Sequence, residues 1–166
     1  GQLLMGALDG LYFIDKLDGT VEKLHPNTTL FLLPDGPHRF WAATGAGLYR
    51  HYLHGVASDR LAHDPDIPRS LIDNHINTLF RDASGCLWAG TRQGVSKWSP
   101  AKHKFMQFGH LTGKENSLSS HRVNALAADS SSVWIGTDGT GIDRYVLSER
   151  RCVHFSQSHT PGLPVR

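Results

Sequence analysis

Apolar residues fall in short runs along this chain, and glycine, proline, aspartate, asparagine or serine interrupts each run after a few positions. No stretch keeps the 3.6-residue spacing of an amphipathic helix. The runs are rich in β-branched and aromatic residues, which suits short strands bounded by turns. One run recurs. Residues 86–91 read Cys-Leu-Trp-Ala-Gly-Thr, residues 132–137 read Ser-Val-Trp-Ile-Gly-Thr, and residues 39–44 read Arg-Phe-Trp-Ala-Ala-Thr. A decayed copy, Leu-Leu-Met-Gly-Ala, opens the chain at 3–7. A glycine turn and a further strand follow each copy, beginning Gly10-Leu11-Tyr12, Gly47-Leu48-Tyr49, Gly94-Val95-Ser96 and Gly141-Ile142-Asp143. Trp41, Trp88 and Trp134 stand 47 and 46 residues apart.

The copies also agree further out. Residues 69–79 match 116–126, through Ser70-Leu71 and Ser117-Leu118 to Asn77 and Asn124. Turn-forming Asp82-Ala83-Ser84-Gly85 and Asp129-Ser130-Ser131-Ser132 come next. A last short strand closes each unit at 104–108 and 152–155. One repeat is therefore four short strands, three tight turns and a long return loop, which is one propeller blade. The expected fold is all-β: a β-propeller of about three to four blades of four antiparallel strands, itself a fragment of a larger propeller. The approximate units are 1–24 (partial), 25–68, 69–115 and 116–160, with another blade beginning at 161–166. The chain starts inside an apolar run with no initiator Met or signal region and stops where a strand could begin, so it reads as a piece of something longer.

The combined pattern is Asn/Ser-Ser-Leu, a Val/Ile-Asn strand, an Asp turn, Trp-x-Gly-Thr, then Gly-Leu/Val/Ile. It resembles the two-component regulator propeller repeat, most fully at 69–108 and 116–155. Leu4 for Trp, Ala43 for Gly and Ala7 for Thr depart from it. The resemblance implies seven-bladed propellers, often two in tandem, that form the periplasmic sensor of membrane-anchored histidine kinases, hybrid two-component regulators or diguanylate cyclases. It also suggests carbohydrate as a ligand class.

Composition narrows the field. Lys plus Arg number 17 and Asp plus Glu 15, a net charge of +2 with eleven histidines counted neutral. The balance and the aromatic content exclude a disordered chain, and the absence of a basic stripe argues against nucleic acid as partner. No apolar run is long enough for a membrane helix. Two cysteines, Cys86 and Cys152, are too few for a disulfide framework and are expected as free thiols.

No catalytic constellation is expected. There is no Gly-x-Ser-x-Gly elbow, and no carboxylate pair stands out as a glycosidase acid and base. Residues 136–141 lack the Lys-Ser/Thr ending of a phosphate loop and read as a hairpin turn. No metal or cofactor is expected either. His51 and His54 point to opposite faces of a strand, and His75 and His121, at equivalent places in successive repeats, lie on different blades. The tryptophans, Trp98 included at the place of Tyr145, are expected to pack between blades. Gly of the motif is expected to admit a close strand.

Antiparallel order puts the loop entering the first strand and the turn between the second and third on one face. His75, His121, Arg122, Arg92, Gln93 and Asp138 fall there, beside Asn74 and Thr140. The repeats vary at these positions while their strands agree, which marks a recognition face on a scaffold. The expected function is non-enzymatic ligand sensing by part of a periplasmic receptor propeller, with a small molecule on this face and neighbouring blades or a second copy as partners. A protein-interaction scaffold, and a propeller lyase or hydrolase, are the alternatives.

Overall fold

The computed structural model of the chain describes residues 2–53, 58–101 and 104–156, in fifteen strands. β1 (Gln2–Ala7), β2 (Gly10–Asp15) and β3 (Val21–His25) form a three-stranded sheet. β4 (Thr29–Pro34), β5 (Arg39–Thr44), β6 (Gly47–Tyr52) and β7 (Asp59–Leu61) form the second sheet. β8 (Ile76–Arg81), β9 (Leu87–Thr91), β10 (Val95–Ser99) and β11 (Lys104–Phe108) form the third. β12 (Val123–Ala128), β13 (Ser132–Thr137), β14 (Gly141–Val146) and β15 (Arg151–Phe155) form the fourth. Every pairing is antiparallel between neighbours in sequence, and no helix occurs among the described residues. The sheets are the blades of an all-β propeller. The start of a further blade at 161–166, and His54, lie outside the described residues.

Each seam between blades holds its own core. Leu11, Phe40 and Ala42 fill the first seam. Trp41, Leu48, Ile76, Leu87 and Ala89 are among those that fill the second. Trp88, Val95, Val123, Val133 and Tyr145 are among those in the third. The motif tryptophan of one blade thus packs against the next, and Trp88 is fully buried. Its indole is also tied down. Trp88 Nε1 donates to the Asp82 carboxylate at 2.8 Å, and Trp134 Nε1 to Asp129 at 2.9 Å. The same carboxylates accept backbone N–H groups of their own turns, from Ser84 and Cys86 or from Ser131 and Ser132. The Asp of the turn and the Trp of the strand are one device.

The glycine of the motif stands where two strands crowd it. A Cβ on Gly90 would lie 2.7 Å from both Thr78 Cγ2 and Val123 Cγ1 of the next blade. The threonine closes the following turn: Thr91 Oγ1 donates to Gly94 O at 2.9 Å, and Thr44 Oγ1 to Gly47 O at 2.7 Å. The glycine after that turn has positive φ at 47, 94 and 141 and faces a fourth-strand carbonyl, so both conformation and space demand it. Trp98 and Tyr145 do occupy matching places, opposite Leu87 and Val133. Both cysteines are free; Cys152 is buried, but Cys86 is only half-buried.

Candidate ligand face

The threonine-closed turns carry Arg92 and Gln93 after β9 and Asp138 after β13 outward into solvent. The loops entering β8 and β12 end beside them with His75 and Arg122. Arg122 meets Asp138 directly, Nη1 to Oδ2 at 3.3 Å, and Arg122 O accepts the Asp138 backbone N–H at 3.0 Å. Burial, with the Arg92 and Arg122 guanidinium groups close by, pulls the His75 imidazole below its ordinary value and keeps it neutral at neutral pH. His75 also lies over Gly45 of the preceding blade, where a Cβ would sit 3.7 Å from its Nδ1. Three blades therefore contribute to one patch: Gly45 from the second, His75 and Arg92 from the third, Arg122 and Asp138 from the fourth.

The strand starts correct one correspondence. His75 precedes Ile76 at the start of β8, and Arg122 precedes Val123 at the start of β12. The structural equivalent of His75 is Arg122, not His121. His121 instead packs edge-on against His110, with ring centroids 5.0 Å apart. His110 Nδ1 sits 2.7 Å from Leu118 O, as His63 Nδ1 does from Leu71 O, so this second histidine is a repeated loop brace.

Asp73 belongs to the patch and was not singled out by the sequence. Its carboxylate accepts the backbone N–H of His75 and of Arg92, each at 3.2 Å, and so joins the entry loop of β8 to the β9–β10 turn. An Asp in a turn looks like any other turn former; only the cross-loop bond to Arg92 reveals its place. The patch offers two guanidinium groups, two carboxylates and a neutral imidazole, which suits a polar ligand bound by several directional hydrogen bonds. It has no nucleophile paired with a base.

Residues 70–93 match the two component regulator propeller family. No curated protein gives a significant match to the sequence. Among solved structures, the chain is similar to the extracellular domain of the hybrid two component system BT3049 from B. thetaiotaomicron, at 21% identity and a TM-score of 0.78. That likeness covers 95% of this chain and 23% of that one. PorZ, a surface component of the type-IX secretion system of Porphyromonas gingivalis, matches at 12% identity and a TM-score of 0.70, over 97% of this chain and 26% of that one. The β-propeller domain of Cps50 (Swd1) from Myceliophteria thermophila matches at 15% identity and a TM-score of 0.59, over 87% of this chain and 48% of that one. The chain spans about a quarter of the length of the two bacterial structures. These likenesses establish the propeller fold, and the residues that match the family lie in its third blade.

Proposed function

We propose that this chain is part of the extracytoplasmic sensor propeller of a bacterial two-component signalling protein, and that the patch of His75, Arg92, Arg122 and Asp138 takes a small polar ligand. The observation that carries the reading is the regulator repeat at 70–93, whose own loop residues, Asp73, His75, Arg92 and Gln93, line the patch. The likeness to an extracellular domain of a hybrid two component system supports an extracytoplasmic, periplasmic location in a membrane-anchored parent. Carbohydrate is the first ligand class to test. The part described here binds and does not catalyse; binding favours one arrangement of propellers or protomers over another.

Further blades complete the propeller. Ile142 and Phe155 are 48% and 39% exposed at places where Val95 and Phe108 meet a neighbour. At the other end, Leu3 and Met5 are each 44% exposed. A panel of mono- and oligosaccharides, screened by calorimetry, tests the ligand reading. A binder should lose at least about 10-fold in affinity on the double change Arg92→Ala, Asp138→Ala, equivalent to about 1.4 kcal/mol, with unfolding unaltered. Unchanged affinity removes this face. Stable capture of a protein partner with no metabolite response would favour the interaction scaffold.

A further inference from the structure

We propose that Asp143, Cys152 and His154 form a zinc-type metal site across β14 and β15 of the fourth blade, separate from the proposed ligand patch. The antiparallel register sets Asp143 directly opposite His154. Cys152 lies two residues before His154 on β15, so both side chains leave the strand on one face. A carboxylate oxygen, a thiol sulfur and an imidazole nitrogen all lie within 4.8 Å of one another. Ligands of tetrahedral zinc stand roughly 3.5 Å apart for bonds of about 2.0–2.3 Å, so side-chain movement of about an ångström closes the set.

The supports that a metal site needs are already in place. His154 Nδ1 is 2.8 Å from Asp143 Oδ1, and its Nε2 is 3.1 Å from Glu115 O. A metal would replace the proton shared by Nδ1 and Oδ1, while Nε2–H keeps donating to the carbonyl, the outer bond that orients a ligating imidazole. The second oxygen, Asp143 Oδ2, accepts the Ser119 backbone N–H at 2.8 Å. Asn116 Oδ1 accepts the Cys152 N–H at 2.8 Å. Asp143 is fully buried and Cys152 nearly so. A cavity of about 360 Å³ borders Cys152 and His154, with Glu115, Asn116 and Arg151 at its wall. It provides an entry path and room for a water as fourth ligand.

Burial first, and the Asp143 carboxylate second, push the Cys152 thiol up to about 12. A dication displaces the thiol proton, and any proton on His154 Nδ1, to solvent. Asp⁻, Cys⁻ and neutral His then surround M²⁺ with no net charge. Thiolate with imidazole and carboxylate favours zinc over magnesium or calcium. The three residue types also occur in nucleophilic triads, but here the thiol is held protonated and Nε2 faces a backbone carbonyl.

The third blade shows that the scaffold does not require this set. Ser96 and Gln107 hold the places of Asp143 and His154, and they do the same loop-bracing work: Ser96 Oγ accepts the Ile72 N–H at 2.9 Å, and Gln107 Nε2 donates to Ser70 O at 3.1 Å. Phe105 stands where Cys152 does. The fourth blade replaces an adequate brace with three metal-ligating groups.

The test uses the full chain, stripped with a chelator and titrated with Co²⁺ and then Zn²⁺. Expected are 1:1 uptake and a thiolate-to-cobalt charge-transfer band that Zn²⁺ displaces. Cys152→Ser should abolish the band. His154→Gln, which keeps the brace seen in the third blade, should weaken Zn²⁺ binding by at least about 100-fold while leaving metal-free melting near wild type. A wild-type protein without the band, or equal Zn²⁺ affinity in wild type and His154→Gln, overturns the site. Should Cys152→Ser fail to fold, the His154→Gln comparison decides alone.

Discussion

The seam between the first and second blades and the seam between the third and fourth have the same backbone plan and different chemistry. In the later seam Trp88, Phe108 and Tyr145 form one aromatic group, with Phe108 and Tyr145 centroids 4.7 Å apart and Trp88 stacked on Phe108 at 5.7 Å. In the earlier seam Leu4 replaces the tryptophan, and His25 and His51 occupy the places of Phe108 and Tyr145. Their rings are 5.9 Å apart, His51 stacks on Phe40 at 5.3 Å, and His25 leans on Tyr49 at 4.1 Å. His51 Nε2 is buried with no hydrogen-bond partner among the described residues. Two imidazoles fill the space that a phenyl and a phenol fill later, but an imidazole can take up a proton. The blade plan fixes shape, and the residue at each place sets how the seam responds to solution conditions.

The largest expected effect is at the tryptophan. Trp88→Ala should cost about 3–5 kcal/mol in chemical denaturation, because the ring is fully buried and its aspartate loses a donor. Leu4→Ala, half-buried in the earlier seam, should cost about 1–2 kcal/mol. Equal losses would mean that the two seams are mechanically alike.

Acid should separate them next. Burial, with His25 adding repulsion, lowers the His51 pKa to about 4 from an ordinary 6.5. The unfolded chain then binds the proton more readily than the folded one. The stability from neutral His51 is complete above about pH 6.5 and is lost as pH falls toward 4, by up to about 3 kcal/mol. His25 is lowered in the same direction, by burial first and Arg60 second. His51→Tyr, the residue of the fourth blade, should flatten the stability profile between pH 6.5 and 4. If wild type and variant keep equal slopes across that window, acid acts elsewhere.

The smallest effect concerns the motif glycine. Gly90→Ala should cost about 1–3 kcal/mol by overpacking against Val123. Gly136→Ala should cost less than about 1 kcal/mol in this chain, since the three atoms nearest its Cβ all belong to Ala125, the closest at 3.2 Å. A comparable loss at both would show that a blade's own first strand, not its neighbour, sets the demand for glycine.

The sequence carried the blade plan because Trp-x-Gly-Thr, the aspartate turn and the post-turn glycine each answer a steric or hydrogen-bonding need, met most fully in the third and fourth blades. It carried the grouping of these turns on one face because antiparallel order alone assigns turns to faces. It did not show Asp73, whose turn composition hides a bond to another loop. It misplaced His121 by pairing two histidines on residue type, although the match of 69–79 with 116–126 already sets His75 against Arg122. The Asp143, Cys152 and His154 set was also hidden, since residues 143 and 154 meet only through the register of β14 and β15. His51 reads as an ordinary strand residue until the neighbouring blade closes over it.

The bond from the turn aspartate to the indole N–H has a consequence for how such chains are made. Both partners lie within one blade, five or six positions apart, so the ring is aimed before any neighbour exists. The bond that aims the ring therefore asks nothing of the following blade. A duplicated stretch of gene brings its own aimed ring with it, so a propeller can gain or lose a blade without redesigning the joint.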